Sequence, residues 1–197
     1  VSGVAVLPPG EDGFVRKKWT VRECRALTEA GLLTPGRYEL IEGEILAKMG
    51  QGRLHIYVVT RIIAALAALF GMDAVQSQAQ IGIGERDEYN DPEPDVAVVR
   101  GTLRDYLDRD PDPALDVLLA VEAANTTLQG DTTTKARLYA RHGVPEYWVV
   151  AIPRRQLIVY RQPTADGYAD VRTYSDSDAV APLAAPHSPV QVADLLP

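Results

Sequence analysis

Apolar positions recur along this chain with two periods and one unbroken run, and each pattern predicts an element. Val58, Ile62, Leu66 and Leu69 stand at helical spacing within Leu54–Phe70, with alanines filling most of the rest, and Gly71 ends the stretch. Leu115–Ala124 is almost continuously apolar, as in a strand buried on both faces. Shorter strands are predicted at Ala74–Ile83, Asp95–Val99, Glu146–Ile152 and Gln156–Arg161, the last two joined by a Pro-Arg-Arg turn. The run YELIEGEILAK, from Tyr38 to Lys48, alternates around Glu42-Gly43 and predicts a hairpin. A short helix is predicted over Thr20–Leu33, with Thr20 as N-cap and Glu23 completing a capping box. A later helix spans Asp131–His142 and stops at Gly143. Between these lie an acidic turn-rich loop, GERDEYNDPEP, a polar connection over 101–114, and a last stretch rich in Ala, Pro, Ser and Asp that predicts a peripheral strand and tail. Strands mixed with two or three helices predict an α/β domain, a central mixed β-sheet flanked by α-helices, over residues 20–197, preceded by a flexible N-terminal arm over 1–19.

Composition narrows the function classes. The chain has 197 residues, enough for one domain with a real core and short for two. Cys24 is the single cysteine, which excludes an intrachain disulfide and the Cys-rich zinc sites and fits a reducing compartment. The opening residues, VSGVAVLPPGEDGF, show no basic region followed by an apolar run, and the Ile56–Phe70 apolar stretch contains Arg61 and is short for a bilayer, so the expectation is a cytoplasmic protein without a membrane anchor. The net charge of −7 argues against broad electrostatic binding of nucleic acid. A carboxylate-rich metal site would add local negative charge that Mg²⁺ offsets on binding.

Several residues do not fit a bland core. Glu122 lies inside LLAVEAAN, where the pattern asks for complete burial. A lone carboxylate there costs several kcal/mol, roughly, and must be paired, hydrogen-bonded, protonated or bound to a metal; it is either a structural ion pair, a strand end facing a cleft, or functional. Asp95 opens its strand after Pro94, a place where aspartate is also common for turn reasons alone. Two carboxylates at the ends of neighbouring buried strands suit a hard cation, because Mg²⁺ keeps several waters and needs only one or two protein oxygens. Lys135 stands four residues after Asp131, which reads as a surface ion pair, or as an ammonium reaching a cleft if the helix packs beside the Glu122 strand. His55 begins the long helix, and a lone histidine is more often structural than catalytic. Glu39 and Glu44 sit on the hairpin, where exposed acids need no explanation.

Other chemistries find little to work with. The sequence contains no GxxxxGK[ST] or GxGxxG phosphate loop, no HExxH and no GxSxG, and only three histidines accompany the single cysteine.

Taken in order, YELIEGEILAK, His55 opening a helix, PEPDVAVV, LLAVEAAN, Asp131 with Lys135 and Tyr139, and GVPEYWVV resemble a family of small bacterial restriction endonucleases of the PD-(D/E)XK nuclease superfamily. The resemblance runs from about Arg37 to Arg161. It implies a restriction-endonuclease-like core, a divalent metal, usually Mg²⁺ with Mn²⁺ as substitute, and hydrolysis of a nucleic-acid phosphodiester. By position, Pro94-Asp95 matches the family's "PD" and Glu122 the acid of its "(D/E)XK" strand. Positions 122 and 124 share a side of that strand, and the lysine expected at the second is Ala124. Lys135 is the match for a helix lysine that takes its place. Glu39, His55 and Asp131 match recurrent family positions.

The reading is therefore a Mg²⁺-dependent DNA endonuclease, with Asp95 and Glu122 as metal ligands, Lys135 stabilising phosphate charge, and His55 or Glu39 completing the site. Two-fold symmetric cutting of a duplex would favour a homodimer. The alternative is a nuclease-fold module without catalysis, serving oligomerisation or nucleic-acid binding, which the acidic charge and Ala124 motivate. A metal-dependent hydrolase of small phosphate esters is a third, weaker reading.

Overall fold

The computed structural model describes residues 5–9, 13–48 and 52–197. The remaining positions of the expected N-terminal arm, 1–4 and 10–12, lie outside the described residues. Within the rest of that arm, a β-bridge joins Val6 to Lys17. The chain divides into two compact units, Val1–Gly50 with Gly82–Glu93, and Gln51–Ile81 with Pro94–Pro197.

The first unit holds α1 (Val21–Glu29), β1 (Tyr38–Ile41) and β2 (Glu44–Ala47). Both halves of the capping box form: the Thr20 hydroxyl accepts from the Glu23 N–H at 3.2 Å, and the Glu23 carboxylate accepts from the Thr20 N–H at 3.0 Å. The hairpin turns at Glu42 and Gly43, both at positive φ (54° and 84°), as a two-residue turn of this twist requires. The acidic loop does more than connect. Buried Asn90 accepts from the Glu42 N–H at 2.7 Å, and the Tyr89 carbonyl accepts from Gly43 N–H at 2.8 Å, so the loop satisfies the backbone of the hairpin turn.

The second unit is built on a six-stranded mixed sheet in chain order: β3 (Val75–Ser77), β4 (Val96–Val99), β5 (Val117–Ala124), β6 (Glu146–Ala151), β7 (Gln156–Thr164) and β8 (Gly167–Ser175). All neighbours pair antiparallel except β5 and β6. A parallel pair needs a crossover, and here it is a helical rod made of α3 (Leu128–Gly130), a π turn (Asp131–Lys135) and α4 (Ala136–Arg141). The predicted helix is thus present, but it starts three residues earlier and is not α-helical throughout.

The other long helix, α2 (Arg53–Phe70), packs Val58, Val59, Ile62 and Leu66 into a core with Val96, Val98, Leu119, Val121, Trp148 and Val150. Its N-cap, Gly52, offers no side-chain bond, a deficit of roughly a few tenths of a kcal/mol. Each fully buried aliphatic side chain contributes about 1.5–3 kcal/mol, so packing rather than local propensity holds α2. By length and composition alone this helix could cross a membrane, against the expectation that it is too short, and its buried residues are Val58, Val59, Ile62 and Leu66.

Two expectations are corrected here. The strand predicted over Ala74–Ile83 keeps only three residues, because Gln78 turns to φ 51° and ends it, although Ile81 and Ile83 are fully buried. The tail is not peripheral. Val180, Val190, Val192, Leu195 and Leu196 enter the α2-side core, their spacing having been masked by the intervening Pro, Ser and Asp.

One ion pair ties that tail to the sheet. Glu146 is fully buried and accepts from Arg161 Nε at 2.8 Å, Trp148 Nε1 at 2.9 Å and the Leu183 N–H at 2.7 Å, while Arg161 also donates to the Ala181 carbonyl. Glu146→Ala leaves a guanidinium without its anion and is expected to cost about 3–5 kcal/mol. Urea unfolding of the purified chain checks this; a loss under about 1 kcal/mol, the worth of a surface pair, would show that the network adds nothing.

Candidate active site

Glu122 and Asp95 come together because of strand register. β4 and β5 pair Val96 with Val121, and one further step sets Asp95 opposite Glu122. The approach is direct: the Ala123 N–H donates to Asp95 Oδ2 at 2.8 Å. The Asp95 carbonyl is fixed in turn by the Ser77 hydroxyl at 2.9 Å and the Gln78 N–H at 3.2 Å, so the short β3 anchors the start of β4.

The crossover rod brings the positive charge. Lys135 Nζ donates to Glu122 Oε1 at 2.8 Å, and the Tyr139 hydroxyl donates to the same oxygen at 3.0 Å. For Lys135 the geometry includes the second of the two readings, an ammonium beside the strand acid. Asp131 itself is buried, and its Oδ2 accepts from the Thr127 hydroxyl at 2.5 Å. From the first turn of α2, His55 Nε2 lies 3.1 Å from Asp95 Oδ2. A carboxylate can only accept, so Nε2 carries the proton. Among the described residues, His55 Nδ1 is the buried side-chain polar atom without a hydrogen-bond partner.

Four of the five expected site residues therefore belong to one connected set in the second unit. Glu39 belongs to the first unit, on β1, with its carboxylate 3.6 Å from Lys48 Nζ, which also pairs with Glu93. The expected cluster also gains members. Asp131 enters as a third carboxylate, and its charge acts on His55. Tyr139 enters as a donor to Glu122. Its spacing, four residues after Lys135, was a readable sign that both share one helix face.

Burial of Asp95 by itself would raise its carboxyl, but the hydrogen bond and charge of His55, the Ala123 N–H and the Lys135 charge together hold it below the usual aspartate range. The bond to Asp95 raises His55 above its usual range against the opposing pull of burial, with the Asp95 and Asp131 charges adding to it. The side chains keep modest access to solvent, 15% for Asp95, 17% for His55 and 14% for Lys135, against 6% for Glu122. The acids thus lie on one side of the sheet, Asp95 with modest access to solvent and Glu122 buried.

The family model described as "Uma2: Putative restriction endonuclease" matches residues 25–191. The chain belongs to this family. Its function is accordingly nuclease-like. A solved structure described as a putative nuclease belonging to DUF820, from Anabaena variabilis ATCC 29413, superposes with a TM-score of 0.63 at 16% identity, over 86% of this chain and 96% of that one. That likeness gives the Uma2 chain a restriction-endonuclease-like fold, a mixed six-stranded sheet with helices packed against it. No curated protein matches. The Uma2 match covers all five expected positions, and the departure at Ala124 stands: this residue is fully buried, with no room or charge for a lysine's role.

The His55–Asp95 contact sets a pH dependence. Asp95 is lowered in the fold, so its contribution is complete above the ordinary aspartate value of 3.8 and is lost as pH falls through the folded value. His55 is raised, so its contribution is complete below 6.5 and is lost as pH rises through the folded value. A double-mutant cycle of Asp95→Asn and His55→Gln, read by urea unfolding without metal, is expected to give a coupling of about 1.5–3 kcal/mol between those limits, shrinking on both sides. A coupling flat from acid to alkaline pH would contradict the pairing.

Proposed function

We propose that this Uma2 chain is a Mg²⁺-dependent endonuclease that hydrolyses DNA phosphodiester bonds, with Asp95 and Glu122 as the metal-binding carboxylates. The observation that carries the reading is their meeting at opposed positions of β4 and β5 with the Lys135 ammonium 2.8 Å from Glu122. The donor set fits a hard cation. Asp95, Glu122 and Asp131 bring three carboxylates, against one fixed positive charge from Lys135 and a titrating one from His55. Among the described residues no group of three His, Cys, Asp or Glu side chains is gathered as a ready-made cage. An ion that keeps much of its water, as Mg²⁺ does, needs only one or two of these carboxylates, with Mn²⁺ as a substitute.

A metal held there would supply charge stabilisation at a phosphoryl oxygen and a bound water of lowered pKa. The protein groups do the rest. The His55 Nε2–H and the Ala123 N–H both donate to Asp95 Oδ2, fixing that carboxylate and keeping it ionised. Lys135 and Tyr139 both donate to Glu122 Oε1 and hold the second carboxylate against rotation. The Lys135 charge also acts on Asp95, so one ammonium serves both acids and stands ready to offset charge on a phosphate. His55 is here an orienting residue for Asp95 rather than a base. Glu39 stands in the first unit with its carboxylate 3.6 Å from Lys48 Nζ, and no step is assigned to it. The cytoplasm, where DNA and Mg²⁺ coexist, is the matching compartment, and a homodimer would suit cuts in both strands of a duplex.

The second reading, a nuclease-fold module without catalysis, is favoured by one observation: Lys135 already neutralises Glu122 without any metal. The two readings separate by experiment. Purified protein is expected to nick supercoiled plasmid when Mg²⁺ or Mn²⁺ is added and not in EDTA, with Asp95→Ala and Glu122→Ala each reducing the rate at least about 100-fold. Titration calorimetry is expected to show Mn²⁺ binding that both variants lose. Equal nicking in all three proteins would identify a contaminant, and absence of binding and cleavage together would leave the non-catalytic module.

A further inference from the structure

The rod between β5 and β6 changes helix type at the residues that matter. Asp131–Lys135 is a π turn between two α-helical stretches. Such a turn inserts one extra residue and shifts carbonyls away from their usual partners. Side chains take up the neighbouring carbonyls. The Thr132 hydroxyl donates to the Leu128 carbonyl and the Thr133 hydroxyl to the Gln129 carbonyl, both at 2.6 Å. Two further hydroxyls come from the sheet: Tyr147 donates to the Asp131 carbonyl at 3.0 Å, and Tyr160 donates to the Thr132 carbonyl at 3.3 Å. These tyrosines are cross-strand partners on β6 and β7, with ring centroids 5.4 Å apart. Two consecutive carbonyls of the π turn are thus gripped by two adjacent residues of the sheet. Lys135 ends the turn.

We propose that Tyr147 and Tyr160 are positioning residues of the site: by holding the Asp131 and Thr132 carbonyls they set the π turn, and the π turn sets the Lys135 ammonium against Glu122. The catalytic consequence rests on the role given above to Lys135; the placement of Lys135 does not. A lysine side chain carries about 2 kcal/mol of rotamer entropy, so its position depends on where its backbone is held. A tyrosine has few rotamers and suits that task. Burial, then the Glu122 and Asp131 charges, pushes the Tyr147 phenol well above its usual range, and burial with the Asp131 charge raises Tyr160, so both remain hydrogen-bond donors. Tyr139, whose ring centroid is 4.9 Å from that of Tyr147, continues the ladder to Glu122. Tyr168 is the internal comparison. It stacks on Tyr147 at 6.4 Å, but its hydroxyl donates to the Val144 carbonyl, outside the π turn.

The test uses the full chain with Tyr147→Phe, Tyr160→Phe and Tyr168→Phe, each of which keeps its ring. The first readout needs neither metal nor DNA: the rate at which Lys135 is acetylated by an N-hydroxysuccinimide ester, followed by mass spectrometry, with Glu122→Gln marking loss of the Glu122 pair. Lys135 is expected to react several-fold faster in Tyr147→Phe and Tyr160→Phe than in the parent, and at the parent rate in Tyr168→Phe. The second readout is Mg²⁺-dependent nicking, where kcat is expected to fall about tenfold or more in the first two variants with KM for DNA little changed, as for a misplaced catalytic group. Parent-like Lys135 reactivity in folded Tyr147→Phe and Tyr160→Phe, or the same increase in Tyr168→Phe, overturns the proposal. If Tyr147→Phe does not fold by circular dichroism, Tyr160→Phe decides alone. A parent protein that never cuts DNA removes the nuclease reading, while the labelling still decides the placement.

Discussion

A carboxylate in the middle of an apolar sheet has to be compensated, and Glu122 makes the whole second unit answer to that need. Its strand is buried along nearly its full length, which gives the core its strength and denies the acid water. Left alone, such a charge carries an effective penalty of several kcal/mol, roughly, comparable with the net stability of a small domain. The compensation comes from the next element in the chain. The rod that the β5–β6 parallel pairing requires supplies Lys135 and Tyr139 to a single oxygen. Topology and site chemistry are therefore one constraint: the crossover that makes the parallel pair also delivers the ammonium.

Much of this was legible in the sequence because the informative residues violate their local pattern. An acid inside LLAVEAAN cannot be read as core, and its pairing with a strand-opening Asp95 needs only two neighbouring strands. The capping box at Thr20 and Glu23 and the turn at Glu42-Gly43 were equally readable, since each depends on residues three positions apart or fewer. What stayed hidden depends on non-local satisfaction. Nothing in Asp131-Thr-Thr-Thr-Lys135 announces a π turn, whose carbonyls are met by tyrosines sixteen and twenty-eight residues further on. The tail looked peripheral because its valines and leucines are separated by residues that punctuate loops. Glu39 was expected on family position alone, and its ion pair with Lys48 could be known only from the folded hairpin.

The acidic character of the chain bears on how such a site would be used. With a net charge of −7 there is little general attraction for a polyanion, so binding would depend on local charge. The site's three carboxylates outnumber the one fixed positive charge of Lys135, and a divalent ion would cancel that excess where it sits. On this view a metal serves recognition as well as chemistry, since it would turn a repulsive pocket into one that accepts a phosphate.

Ala124 gives the last step. A lysine two residues after Glu122 would ride on the same rigid strand, fixed by the sheet itself. Here that position is filled by a fully buried methyl group, and the positive charge arrives from a separate element. The distance between acid and ammonium then depends on how firmly the rod is held, by the Tyr147 and Tyr160 hydroxyls from the sheet and by those of Thr132 and Thr133 within it. Because Lys135 is paired with Glu122, a cation held by Glu122 would share that carboxylate with the ammonium.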